Sequence, residues 1–88
     1  GTIENAYTIS NGEYEVIEAE IIETSELINK ELKNSNLPEE LRIGAVLRDK
    51  KIIIPRSNFI FKKDDRVVFI VKKESISFVE NIFRLSSV

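Results

Sequence analysis

The groups with which this chain could do chemistry are few. Among 88 residues there is no Cys and no His, which removes thiolate nucleophiles, disulfides, thiolate metal sites and the usual imidazole general base. Carboxylate, ammonium, guanidinium and hydroxyl groups remain. Asp64-Asp65 would suit calcium or magnesium only with several more oxygen ligands at defined spacing, and the run Lys62-Lys63-Asp64-Asp65 reads as a polar turn entering a strand. Glu18, Glu20, Glu23 and Glu26 could gather cations or meet Lys72 and Lys73; a solvated edge that resists aggregation is the more ordinary explanation. A serine nucleophile needs a strained elbow with a base beside it, and a phosphate loop needs clustered glycines. The chain has three Gly and neither pattern, so the expectation is a protein that is not an enzyme.

Composition narrows the remaining classes. The chain is 42% hydrophobic and 32% charged, the balance of a soluble globular domain, and its length allows one core. A domain of this size buries only about 60–65% of its unfolded surface and gains from a partner. No apolar run reaches the roughly 18 residues of a membrane span, and no signal peptide or lipidation motif is visible. The net charge of -2 hides an asymmetry: residues 1–40 carry ten Glu against two Lys, and residues 41–88 carry eleven Lys and Arg against five Asp and Glu. Opposite halves fit faces that complement each other, within the chain or across a dimer, better than a nucleic-acid site. The doublets Lys50-Lys51, Lys62-Lys63 and Lys72-Lys73 also lack the interleaved aromatics of a single-strand platform. No nucleic-acid partner is expected.

The elements that would position these groups follow from periodicity. Residues 1–12, ending in Ser10-Asn11-Gly12, read as a short leading strand or a linker. Residues 13–88 read as the folded domain. Tyr14 to Glu23 alternates, with Ile17, Ala19 and Ile21 on the core face of a strand. Thr24 or Ser25 can cap a short helix over about Glu26 to Lys33, with Ile28 and Leu32 on one side. Leu41 to Arg48 alternates again, Leu41, Ile43, Ala45 and Leu47 on one face and Arg42, Gly44, Val46 and Arg48 on the other. Asp49-Lys50 turns into Ile52-Ile53-Ile54, a short edge strand stopped by Pro55. Arg66 to Val71, apolar on both faces, is a central strand. Ser75 can cap a last helix carrying Ile76, Val79, Ile82 and Phe83 and ending near Leu85. The order strand, helix, hairpin, strand, helix gives an α+β two-layer domain with a mixed or antiparallel sheet of about four strands and two helices.

Several of these segments together resemble the C-terminal lobe of regulator-of-potassium-conductance proteins, the Trk potassium-uptake C-terminal domain. They are Glu15-Val16-Ile17-Glu18, Ser25-Glu26-Leu27-Ile28-Asn29-Lys30-Glu31-Leu32, Leu37-Pro38, Ile43-Gly44-Ala45-Val46-Leu47-Arg48, Ile53-Ile54-Pro55 and Asp65-Arg66-Val67-Val68-Phe69. Val79-Glu80-Asn81-Ile82-Phe83 resembles a final helix that some members carry, so the chain is expected to end at or near the C-terminus of a longer protein, with a nucleotide-binding lobe ahead of it. The family usually has Gly where this chain has Asn29, Asp64 and, in the hairpin turn, Lys50. Asn and Asp tolerate left-handed backbone best after Gly.

The resemblance implies a cytoplasmic regulatory domain at the inner face of the cell membrane, a homodimer that gates a potassium-translocating membrane subunit, without a cofactor of its own. Some relatives bind cyclic di-AMP between paired lobes, a ligand that needs cations for its phosphates and apolar or flat surfaces for its adenines under two-fold symmetry. Ile43, Arg48 and Pro55, on or beside the matching hairpin, are the expected ligand-binding residues. The plainer reading of the same three is a core residue, a solvated charge and a strand stop. The alternative to the sensor is a purely structural dimerisation module without a ligand.

Overall fold

The computed structural model describes residues 3–83. Five antiparallel strands form one sheet in the order β1-β2-β5-β3-β4. They are β1 (Ile3–Ile9), β2 (Tyr14–Glu20), β3 (Arg42–Arg48), β4 (Lys51–Ile53) and β5 (Arg66–Lys72). One α-helix, α1 (Ile76–Phe83), follows, and short 3₁₀ turns lie at Ser10–Gly12, Leu32–Asn34 and Lys73–Ser75. The architecture is α+β, with one strand more and one helix fewer than expected; the expected helix end near Leu85 lies outside the described residues.

The sheet is built from alternation. Ile17 pairs with Phe69, and Ala19 with Val67, across β2 and β5. These four are buried with Val71 and Ile21, as period-two patterning demands of a face turned to the core. β5 is the middle strand of the sheet, yet only one of its faces is covered: Val67, Phe69 and Val71 are buried while Ile70, on the other face, is 39% exposed. Helix α1 covers the core face with Val79, Ile82 and Phe83, and the Phe83 ring stacks on Phe69 with centroids 5.0 Å apart. The buried Ser25 ties the end of this helix down. Its hydroxyl donates to the Ile82 carbonyl at 3.0 Å and accepts from the Leu27 N–H at 3.1 Å.

The helix expected over Glu26 to Lys33 does not form. Asn29 takes a left-handed φ of 63°, which ends any helical run. The backbone of 29–33 pairs instead with 57–61: Asn29 N–H to Phe61 O at 2.9 Å, Leu32 N–H to Phe59 O at 2.8 Å and Lys33 N–H to Ser57 O at 2.9 Å. Tertiary pairing outweighs the weak helical pattern of Ile28 and Leu32, as it does when propensity and packing disagree. Leu27 goes fully into the core, with Ile28 and Leu32 partly buried against it.

The two-face reading of β3 also needs correction. The ladder to β5 shifts register between Ile43 and Ala45, so Gly44 is the extra residue of a β-bulge. Ile43 pairs with Phe69 and Val46 with Val67, both core-facing, whereas Ala45 pairs with Val68 on the open face. The slip therefore moves Val46 and Arg48 to the core side and Leu47 to the outside. Asp49 and Lys50, with φ of 50° and 67°, join Arg48 to Lys51 in a two-residue hairpin of the primed type.

Candidate functional site

A groove of about 380 Å³ opens where the start of β3 meets the 32–37 segment and Pro55. Leu32, Leu37, Leu41, Ile43 and Pro55 supply apolar walls, and Lys33 and Arg42 supply positive charge. Lys33 enters through its backbone bond to Ser57, Leu32 through its bond to Phe59. The Ser35 hydroxyl donates to Leu32 O at 2.6 Å, and Asn36 adopts a left-handed φ of 55°, so the 32–37 wall is a series of tight local turns. Arg42 points its Nη1 at the carbonyls of Glu39 and Leu41, the latter at 3.0 Å. Lys33 Nζ lies 3.8 Å from the Glu31 carboxylate, so both cations have oxygen partners within the chain, and apolar walls with a few polar groups are the general makeup of a small-molecule site.

Two of the three residues singled out from the sequence, Ile43 and Pro55, meet in this groove. Arg48 stands at the other end of β3, where it lines a smaller hollow of about 210 Å³ with Asp49, Lys62, Lys63, Asp64 and Asp65. There it grips Asp65 with both prongs, Nε to Oδ1 and Nη2 to Oδ2, each at 2.7 Å. Nη2 also donates to Ile60 O at 2.9 Å, and the guanidinium lies 4.8 Å over the Phe59 ring. Asp65 accepts a further bond from the Lys62 N–H at 2.9 Å. The Asp65 pairing raises the Arg48 pKa above its ordinary value against the opposing effect of burial, so Arg48 carries a fixed positive charge.

Lys33 and Arg42 were not singled out from the sequence, because Lys33 is a lone charge in a polar stretch and Arg42 reads as the outward residue of an alternating strand. Gly44 inside an alternating strand was the one available signal, since an isolated strand glycine marks a bulge or close backbone approach. Elsewhere, Glu18 is paired with Arg66 at 3.5 Å, and Glu40 accepts from the Ser75 hydroxyl at 2.8 Å. That bond is the largest of the influences holding the Glu40 carboxyl below its ordinary pKa. Among the described residues no cluster of three or more acidic groups is placed to hold a metal ion, and no helix is long and apolar enough to cross a membrane.

Comparison with known proteins identifies the family of the domain. The TrkA-C domain family matches residues 16–84. The Trk system potassium uptake protein TrkA of Azorhizobium caulinodans is 36% identical over 86 residues, covering 98% of this chain and 19% of that protein. A TrkA homolog of Archaeoglobus fulgidus is 32% identical over 83 residues, covering 94% of this chain and 19% of its own length. The chain thus spans about a fifth of the length of these relatives. A solved structure described as "Structure of RCK domain with cda" superposes with a TM-score of 0.63 at 17% identity, covering 76% of this chain and 94% of that one, which shows a shared fold. With the match running from β2 through α1, the chain belongs to the TrkA-C domain family.

Proposed function

We propose that this chain is the regulatory lobe of a cytoplasmic potassium-uptake protein, that it pairs with a second copy, and that it senses an anionic nucleotide, cyclic di-AMP being the first choice. One observation carries the reading: the groove joins the apolar Ile43, Leu37 and Pro55 to the cations Lys33 and Arg42. Apolar walls take an adenine face and the cations take a phosphate. At about 380 Å³ the groove is near the small end of the usual ligand range of about 300–1,000 Å³. It suits one half of a symmetric dinucleotide, with the other half held by the second copy. The names of the relatives support the potassium-uptake role, and the solved domain of the same fold described with cda is in keeping with a nucleotide.

The mechanism is ligand-biased geometry. A ligand shared by two lobes binds best when the two grooves face each other, so it favours that arrangement by its differential affinity. The arrangement is passed to a nucleotide-binding lobe of the longer protein and from there to the membrane subunit that moves potassium. Thermal shift with cyclic di-AMP, cyclic di-GMP, ATP and NADH tests this: a selective rise with cyclic di-AMP, lost in Arg42→Gln and in Lys33→Gln, supports the reading, and no rise with any of the four contradicts it.

A second reading, a dimerisation module without a ligand, is favoured by the exposed edge. Ile52 and Ile54, on either side of Ile53 in and beyond the edge strand β4, are 72% and 69% exposed. Apolar side chains on a sheet edge invite a covering partner.

A further inference from the structure

The groove and Arg48 lie at opposite ends of β3, and a chain of bonds joins them. Arg48 holds the 59–60 backbone through Ile60 O at 2.9 Å and through the Phe59 ring at 4.8 Å. Phe59 is wedged edge-on against Phe61, 5.3 Å between centroids, and Phe61 is fully buried. From this anchored stretch the carbonyls of Phe59 and Ser57 accept the N–H groups of Leu32 and Lys33, both of which line the groove. Arg48 itself lines the separate hollow beside Asp65.

We infer that Arg48 is a positioning residue for the groove: paired with Asp65, it clamps the 57–60 backbone whose carbonyls hold Leu32 and Lys33 in the groove wall, and it influences a bound nucleotide through them rather than by touching it. The geometry asks for arginine in particular. Two prongs on Asp65, a third bond to a carbonyl and a flat face over an aromatic ring are available to a planar guanidinium and not to the single ammonium of lysine. The part of this inference that concerns a bound nucleotide rests on the proposed function; the part that concerns the wall does not.

Amide hydrogen exchange of the ligand-free chain, followed by NMR, decides the clamp. In Arg48→Lys the Leu32 and Lys33 amides should exchange about tenfold faster, while the amides of β2 and β5 change by less than about threefold. Equal acceleration everywhere, or none at Leu32 and Lys33, overturns the inference. Should Arg48→Lys fold poorly, Asp65→Asn carries the same comparison. With cyclic di-AMP as the probe, Arg48→Gln should weaken binding about fivefold and leave the salt dependence of affinity as in the wild type, because a charge that does not face the ligand is not what salt screens. A salt dependence reduced as in Arg42→Gln would place Arg48 on the phosphate and overturn the inference. If the wild type binds no nucleotide, the proposed function fails while the exchange comparison still decides the clamp.

Discussion

Arg48 and Asp65 meet as fork and carboxylate, two bonds of 2.7 Å each, with the Asp65 side chain 1% exposed and that of Arg48 29% exposed. A carboxylate buried to this degree is tolerable only while it is paired. Arg48→Met should therefore destabilise the domain by about 3 kcal/mol, toward the low end of buried-pair losses because Arg48 is partly solvated. The double variant Arg48→Met with Asp65→Leu should be more stable than the single one, since it removes the orphaned charge. Urea denaturation of both checks this. A double variant weaker than Arg48→Met would show that the carboxylate's bond to Lys62 N–H, not its charge, is what matters.

Lys50 sits at a φ of 67° in the hairpin turn, a conformation that costs a residue with a Cβ about 1–2 kcal/mol. Asp-Gly is a preferred pair for this turn. Lys50→Gly should raise stability by about 0.5–1 kcal/mol, the strain relieved less the extra backbone freedom of Gly in the unfolded chain. Thermal denaturation with an unchanged folded spectrum measures it.

Ile52 and Ile54 are largely exposed, so replacing them should leave the fold within about 0.5 kcal/mol of the wild type. If the β4 edge meets a second copy, Ile52→Lys with Ile54→Lys should weaken self-association about tenfold or more while the melting temperature of the monomer barely moves. Sedimentation velocity over a concentration series gives the result. Equal association of wild type and variant would move the dimer contact to another face, such as the open side of the sheet at Ile70.

Glu40 accepts the Ser75 hydroxyl, which lowers its pKa in the folded state. A depressed folded pKa means that folding favours the charged form. The contribution is thus present above the ordinary glutamate pKa and is lost as pH falls through the depressed one. In Ser75→Ala the Glu40 carboxyl should titrate at higher pH, and the wild-type advantage over the variant should vanish in acid. A side-chain carbon titration by NMR, run on both proteins, follows it.

Much of the fold was legible in the residues. Ile17, Ala19 and Ile21 marked a core face, Arg66 to Val71 marked the central strand, Pro55 stopped an edge strand and Val79, Ile82 and Phe83 marked a helix, because each is a local period of two or of about 3.6. Asn29, Lys50 and Asp64, the turn positions that the family resemblance singled out, all take positive φ, at 63°, 67° and 72°. What was illegible depends on partners distant in the chain. The 26–33 stretch is decided by carbonyls at 57–61, and the bulge at Gly44 reverses the facing of everything after it in β3. The pairing of Arg48 with Asp65 was not legible, because the two lie 17 residues apart. Lys33 and Arg42 come together only because the 32–37 turns fold back on the start of β3.

The most direct test of the sensing role is titration calorimetry of cyclic di-AMP into the wild type, with Lys33→Gln and Arg42→Gln as controls. Saturable binding with one ligand per two chains is expected, weakened about tenfold or more in each control by the loss of a charge-assisted contact worth about 1.5–3 kcal/mol. At a free ligand concentration about 100 times Kd, the bound form gains about 2.7 kcal/mol, which should appear as a rise in Tm on the order of 10 °C. No heat of binding and no change in Tm at millimolar ligand, with the protein folded and dimeric, would contradict the sensor and leave a dimerisation module.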